Sequence, residues 1–567
     1  MEQVVHVRVA DAETGAPLPC RLLVREPTGQ LYVPLGYLRD PSVEEGQEVG
    51  GHLVQGGDVW TYIDGQCEVR LPPGRLFFQV RRGLRYLPLC TEEDRGLGRI
   101  AIRLRMRQVI SSEPGWYWAD TRAHWLTPAA AALEGAAEDL DLVHLLAARW
   151  DRPGLPRISN LLDFSGQQVL LERYGCKVVV NTYQRGGVWG DLALLHCHRI
   201  VFPLTSGEAG FEHYTLADWC YQCHRKGGLV VWPGFPGEMG ERFLLAVLGE
   251  VDAIEWCGES LPAQKVHAAN LSNNQSTKLG PDACANSTAG LQPGTGLSTE
   301  ALALWYALLN LGKRLTIVGA SGKRSNATPL GAVRTATFLG AEPLTPAAWV
   351  AAVKRGQTYA TCGPVLHWQI NGQQNIWSWS PPAGERQHGL PERFDDTSSQ
   401  QTSPPSPQKS EPEILHIQVQ ARSVLPFMRL ELICAGQVME SVAASETVVD
   451  AVEVSKSSVG NAQDDANRPS RIWIAELRWQ IRFEKLHELP GNWLAFRCWQ
   501  GDRLVGHSSA IWLPTFAQLS RADQELLEHA LGKSEAIIQN TAHPRRERLL
   551  QRLDEVGALI RSRARNR

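Results

Sequence analysis

The 567-residue chain is predicted to be a multidomain protein of α/β and β class, and three observations carry that prediction. Short alternating runs split by Pro and Gly occupy both flanks of the chain, as in β-sandwiches. Between the flanks, short apolar runs alternate with amphipathic stretches, as in an α/β layer or barrel. At roughly 150 residues per domain the length allows three or four units. With 43% hydrophobic and 21% charged residues, each can bury a core.

Residues 1–108 read as a β-sandwich. Val5-His6-Val7-Arg8-Val9 alternates with period two, and Gly15-Ala16-Pro17-Leu18-Pro19 turns into Cys20-Arg21-Leu22-Leu23-Val24. The runs 66–71 and 76–83 flank the turn Pro72-Pro73-Gly74. Residues 109–365 change pattern. The apolar runs 140–146, 177–180, 228–232 and 315–318 have the length of buried parallel strands, and 215–225 and 299–311 between them are amphipathic. Residues 268–298, rich in Asn, Ser, Gly and Pro, read as a surface insertion. Residues 376–413 collapse into Pro, Ser, Gln and charge, the composition of a disordered linker. Residues 414–514 return to strands, interrupted by a polar insertion near 455–469, and form a C-terminal β-domain. Residues 515–567 have Leu and Ile at helical spacing and end in a basic run, Arg561-Ser562-Arg563-Ala564-Arg565-Asn566-Arg567. Such a helical tail suits a solvated helix end, where cations favour the macrodipole, better than a nucleic-acid arm.

A formal net charge of −3 gives no global basic field and argues against nucleic acid as a partner. No run of about 18 apolar residues exists, so no membrane partner is expected. The N-terminus lacks a basic segment followed by an apolar one, which places the chain in the cytoplasm as written, or outside it if the true start lies upstream. The 12 Cys are scattered and expected to be free thiols in a reducing compartment.

The join between the first two domains reads Glu113-Pro114-Gly115-Trp116-Tyr117-Trp118-Ala119-Asp120-Thr121-Arg122-Ala123-His124. It resembles the opening of CehA/McbA-type metallohydrolases of the polymerase and histidinol phosphatase (PHP) superfamily, where Gly-Trp-Tyr leads into a strand bearing Asp-x-His-x-His. A second stretch is similar to the closing part of that family: Gly319-Ala320-Ser321-Gly322, then 329–335, then Lys354-Arg355-Gly356-Gln357-Thr358-Tyr359-Ala360-Thr361-Cys362-Gly363-Pro364. In the N-terminal domain, Asp64-Gly65 and Leu71-Pro72-Pro73-Gly74 resemble transthyretin-like modules. The resemblance implies a PHP-like distorted α/β barrel, holding two or three divalent cations at the C-terminal mouth on His, Asp and Glu.

Most of the implied ligands are replaced. Arg122 stands where the first His of the pair belongs, Leu146-Ala147-Ala148-Arg149 where a Thr-Asp-His-Asn phrase ends the second strand, and Gly190-Asp191 where Gly-His is expected. Phe235-Pro236 replaces His-Pro, Ser321 the Asp of Gly-Ser-Asp, and Lys323 stands near a further His position. Arginine stays protonated and offers no lone pair, so Arg122 cannot ligate. It would also repel a nearby cation by roughly 4 kcal/mol per unit charge at about 4 Å. Asp120, His124, Asp191 and Glu255 remain as residual metal candidates, enough for no cofactor or for a single weakly held Zn, Mn or Fe ion. Arg122, Arg149, Ser321 and Lys323 are the candidate ligand-binding residues, the three basic ones filling the metal space as fixed cations that pair with Asp120 or with an anionic ligand. The leading expectation is therefore a hydrolase-fold protein that has lost its multinuclear centre and binds a small anion or a protein. The alternative is a divergent hydrolase of phosphate ester, amide or carbamate bonds with a reduced single-metal site.

Other motifs carry less. Cys220-Tyr221-Gln222-Cys223-His224 has the spacing of c-type haem attachment, but in an amphipathic helix it reads as two core thiols. His196-Cys197-His198 could join Cys220, Cys223 and His224 in a zinc site only if the elements meet. Gly322-Lys323 lacks the Walker glycine, since position 317 is Ile, and Ser321 lacks nucleophile-elbow spacing.

Overall fold

The computed structural model describes residues 2–36, 49–55, 57–111, 113–150, 157–258, 297–374, 377, 414–449, 470–515 and 519–565. The insertion predicted near 455–469 lies outside these residues, as do almost all of 268–298 and of the 376–413 linker.

The N-terminal unit is a two-sheet β-sandwich. Gln3–Asp11 lies between Gln66–Leu71, antiparallel, and Ala101–Met106, parallel. The facing sheet runs His52–Gln55, Asp58–Ile63, Cys20–Arg25, Gly74–Arg81, Leu89–Arg95. Val5, Val7 and Val9 face inward at 0% exposure and meet Leu22, Val24, Phe78 and Val80 across the core. Gly65 has φ +103°, and a β-carbon there would lie 2.5 Å from the Leu18 backbone nitrogen, so that turn needs glycine.

The central unit is a ring of seven strands. Trp116–Ala123, Leu142–Trp150 and Cys176–Gln184 are parallel; Leu192–Leu195 runs against both its neighbours; Leu229–Trp232, Ala253–Cys257 and Thr316–Ala320 are parallel again. The ring closes where the chain past Ala320 meets the first strand. Lys323 pairs with Ala123, the His124 amide donates to the Lys323 carbonyl at 2.9 Å, and the Gly322 amide donates to the Arg122 carbonyl at 3.0 Å. Ala119, Leu142, Val179, Leu195, Val231 and Val318 fill the lumen. The Pro346–Lys354 helix plugs the end where the parallel strands begin, through Trp349, Val350 and Val353. Asp120, Arg122, His124 and Glu255 lie toward the opposite end.

The lower half of the first ring strand also pairs with Arg334–Phe338. From there the same sheet continues through Thr358–Thr361, Arg503–Ser508, Trp493–Gln500 and Arg429–Cys434 to Gln437–Ala443. A five-stranded sheet built on Ile414–Ser423 and Ser470–Arg482 accompanies this extension. The C-terminal helices Arg521–Asn540 and Arg546–Arg565 pack on each other and on the ring's outer helices Gly240–Leu248 and Thr299–Asn310. Arg552 pairs with Glu241, and Arg545 lies 3.4 Å from Asp218. These two arginines precede the basic end of the chain, where Arg561 and Arg563 are exposed. No described helix is long and apolar enough to cross a membrane.

Candidate functional site

Residues at alternate positions of the ring strands end in a polar layer at the mouth. Arg122 dominates it. Its side chain is 7% exposed, and it grips Glu255, itself fully buried, with a forked contact: Nε lies 3.0 Å from both carboxylate oxygens and Nη2 2.8 Å from Oε1. Nη2 also lies 3.0 Å from the Cys257 sulfur, and the guanidinium sits 5.8 Å from the Tyr183 ring centroid. Burial works against the charge, but Glu255, with Cys257 and Tyr183, outweighs it and holds Arg122 well above its ordinary value. Glu255 takes one further bond, from the Gly234 amide at 3.1 Å.

Asp120 is occupied by backbone. Oδ1 accepts from the amides of Arg122 at 3.1 Å and Ser321 at 3.0 Å, and Oδ2 from Gly331 at 2.8 Å. The carboxylate therefore clasps the seam of the ring. Burial pushes its pKa up, with the Gly331, Ser321 and Arg122 amides opposing. Ser321 Oγ accepts from the Lys323 amide at 3.1 Å, which shapes the same turn.

His124 lies above them, edge-on to Trp150 and Tyr183 at 5.0 and 5.2 Å between ring centres. Its Nδ1 meets the Leu146 carbonyl at 3.1 Å, which places the proton on Nδ1. Nε2 is buried with no hydrogen-bond partner among the described residues. Burial, then the neighbouring Arg122, depresses its pKa well below the ordinary histidine value, so the ring is neutral. Asp191 accepts from the Tyr183 hydroxyl and the Gly186 amide, both at 3.0 Å.

The remaining candidates are elsewhere. Lys323 turns to the helix Pro128–Ala137, donating to the Thr328 carbonyl at 2.9 Å and lying 3.4 Å from Glu134, with both side chains fully buried. Arg149 lies 3.4 Å from Glu208. The expected convergence of Arg122, Arg149 and Lys323 on one space is corrected accordingly: each has its own carboxylate, and the partner of Arg122 is Glu255, not Asp120. For the buried guanidinium of Arg122, standing without a counter-ion would be too costly to be left waiting for a ligand.

Glu134 also accepts from the Gly51 amide at 2.9 Å, joining the sandwich to the barrel. Burial raises it from 4.5 to about 7, against Lys323 and that amide. The native state then holds a proton that the unfolded chain has released between roughly pH 4.5 and 7, so this group's contribution to stability falls as pH rises through that window. Relative to Glu134→Gln, the wild type is expected to lose about 3 kcal/mol from pH 4.5 to 7.5, measured by urea unfolding across pH. A flat difference would show that folding leaves the Glu134 pKa unshifted.

A divalent cation does not fit these donors as they stand. Asp120 accepts from three amides, Glu255 from Arg122 and the Gly234 amide, and Asp191 from Tyr183 and Gly186, so of these four only His124, through Nε2, has a buried polar side-chain atom with no hydrogen-bond partner among the described residues. Among the described residues no group of three or more His, Cys, Asp and Glu side chains is placed to hold a metal. No sequence motif marked Tyr183, Cys257 or Trp150; at the rim Arg185 and Arg324 stand 5.1 and 5.7 Å from the Trp150 indole centroid, and Trp125 lies 5.7 Å away. Strand alternation through Val179, Asn181 and Tyr183 was the available signal for the first of these. Comparison of the chain with family models, with curated proteins and with solved structures gives no match.

Proposed function

We propose that the ring is a PHP-like barrel of CehA/McbA type whose metal space is taken by the Arg122–Glu255 ion pair, and that the chain binds a small anion at its rim instead of hydrolysing a substrate. The observation that carries this reading is the buried, forked Arg122–Glu255 contact beside Asp120 and His124. The seven-strand ring with one reversed strand, and a polar layer at the ends of the parallel strands, support it. Arg185 and Arg324 around Trp150 supply a basic, aromatic rim suited to a planar or phosphate-bearing anion.

One observation favours the alternative single-metal hydrolase: the unpartnered His124 Nε2. Metal analysis after incubation with Zn, Mn and Fe decides between them. The binding reading expects less than about 0.1 ion per chain and no turnover of phosphodiester or aryl ester probes. It also expects inorganic phosphate to quench tryptophan fluorescence, with the quench lost in Arg185→Ala. Stoichiometric metal that His124→Ala abolishes would replace this reading with the hydrolase.

A further inference from the structure

Outside the mouth, the structure brings together two cysteines that the sequence separates by a helix and a loop. Cys197 follows the strand Leu192–Leu195, and Cys223 lies in the helix Leu216–Arg225. Their sulfurs are 3.4 Å apart, and both side chains are buried.

Several features hold them there. His196 has φ 62°, a left-handed conformation that a β-carbon disfavours. Across this kink the side chains change layer: Leu195 belongs to the lumen, whereas Cys197 joins the outer core with Cys220 and Cys223. Gln167 Nε2 donates to the carbonyls of His196 at 3.2 Å and Lys226 at 3.3 Å, tying the loop to the end of the helix. His198 Nδ1 meets the same Lys226 carbonyl at 3.3 Å. Gly228 forms the wall behind the sulfurs: a β-carbon there would lie 2.5 Å from Cys223 Sγ and 2.6 Å from Cys197 Sγ.

A zinc site is not what these residues make. The His198 ring is turned to Lys226, and His224 Nε2 lies 3.0 Å from Asp252. Among the described residues no three or more His, Cys, Asp and Glu side chains are placed to hold a metal, and two sulfurs alone cannot complete a tetrahedral site.

We propose that Cys197 and Cys223 are a modification site, a thiol pair that a peroxide converts to a disulfide. Cys197 is the first to react, because its neighbours His198 and Arg199 are exposed and local opening there admits a small oxidant. Its thiolate attacks one oxygen of hydrogen peroxide, the O–O bond breaks, and hydroxide leaves to become water. The resulting sulfenic acid is attacked by Cys223 sulfur; the S–S bond forms, the S–O bond breaks, and a second water departs with the Cys223 proton. The two thiols lose two electrons and the peroxide gains them.

The test uses the full-length chain, treated with hydrogen peroxide, quenched, unfolded in iodoacetamide, digested and analysed by mass spectrometry. The expected product is a Cys197–Cys223 linked peptide pair in more than about half of the chains, reversed by dithiothreitol, with Cys220 recovered alkylated. Closing this loop is expected to raise the apparent melting temperature by about 5 °C. In Cys197→Ser, no link to Cys223 forms. Recovery of both cysteines as alkylated thiols overturns the proposal, as does a link from Cys223 to Cys220, or oxidation of Cys197 to sulfinic acid without a link.

Discussion

Arg122→Met is expected to destabilise the chain by about 3–5 kcal/mol, read as a shift in the urea midpoint. The fully buried Glu255 would lose its forked partner and keep only the Gly234 amide. An uncompensated buried carboxylate, not the lost contact itself, sets the size of the effect. The double variant Arg122→Met/Glu255→Leu should therefore recover most of the loss, returning to within about 1 kcal/mol of the wild type. Arg122→Lys should fall between, because an ammonium cannot reproduce the fork. A silent Arg122→Met would mean that Glu255 is neutral or solvated, and the fixed-cation account of the mouth would fail.

Asp120→Asn separates a clasp from a metal ligand. Asparagine keeps the shape but offers one acceptor oxygen, and its amide group must face a backbone N–H at Arg122 and Ser321 or at Gly331. The expected cost is about 2–4 kcal/mol, present equally with and without a chelator. A metal ligand would behave otherwise: chelation of the wild type would bring it down to the level of the variant. Circular dichroism melts of both proteins with and without EDTA distinguish the two.

What could be read from the sequence follows the range of the interactions. The alternation of Val5, Val7 and Val9 and the spacing of Leu216, Trp219, Cys220 and Cys223 are local, and the structure buries those side chains in the expected elements. Asp120, Arg122, His124 and Glu255 were all singled out, but for different roles. That Arg122 and Glu255 satisfy each other depends on a contact across 133 positions, which no spacing rule encodes. The partners of Asp120 are backbone amides, which have no residue identity to read. Glu134 and Glu208, which take Lys323 and Arg149, lie on segments that no motif marked. The resemblance implied metal ligands at some of these positions; it carried no information on the partners that the residues standing there would find.

The first ring strand is a three-way junction: its lower half pairs with Arg334–Phe338 and its upper end with Lys323, while Leu142–Trp150 lies along its other side. One strand thus shuts the ring and hands the sheet on to the C-terminal strands. If the junction loosens, the first fault is two bare strand edges facing each other, and unpaired edges template pairing with other chains. Damage at this point would therefore surface first as self-association rather than as loss of helix or of compactness, and the three amides held by Asp120 protect solubility as much as shape.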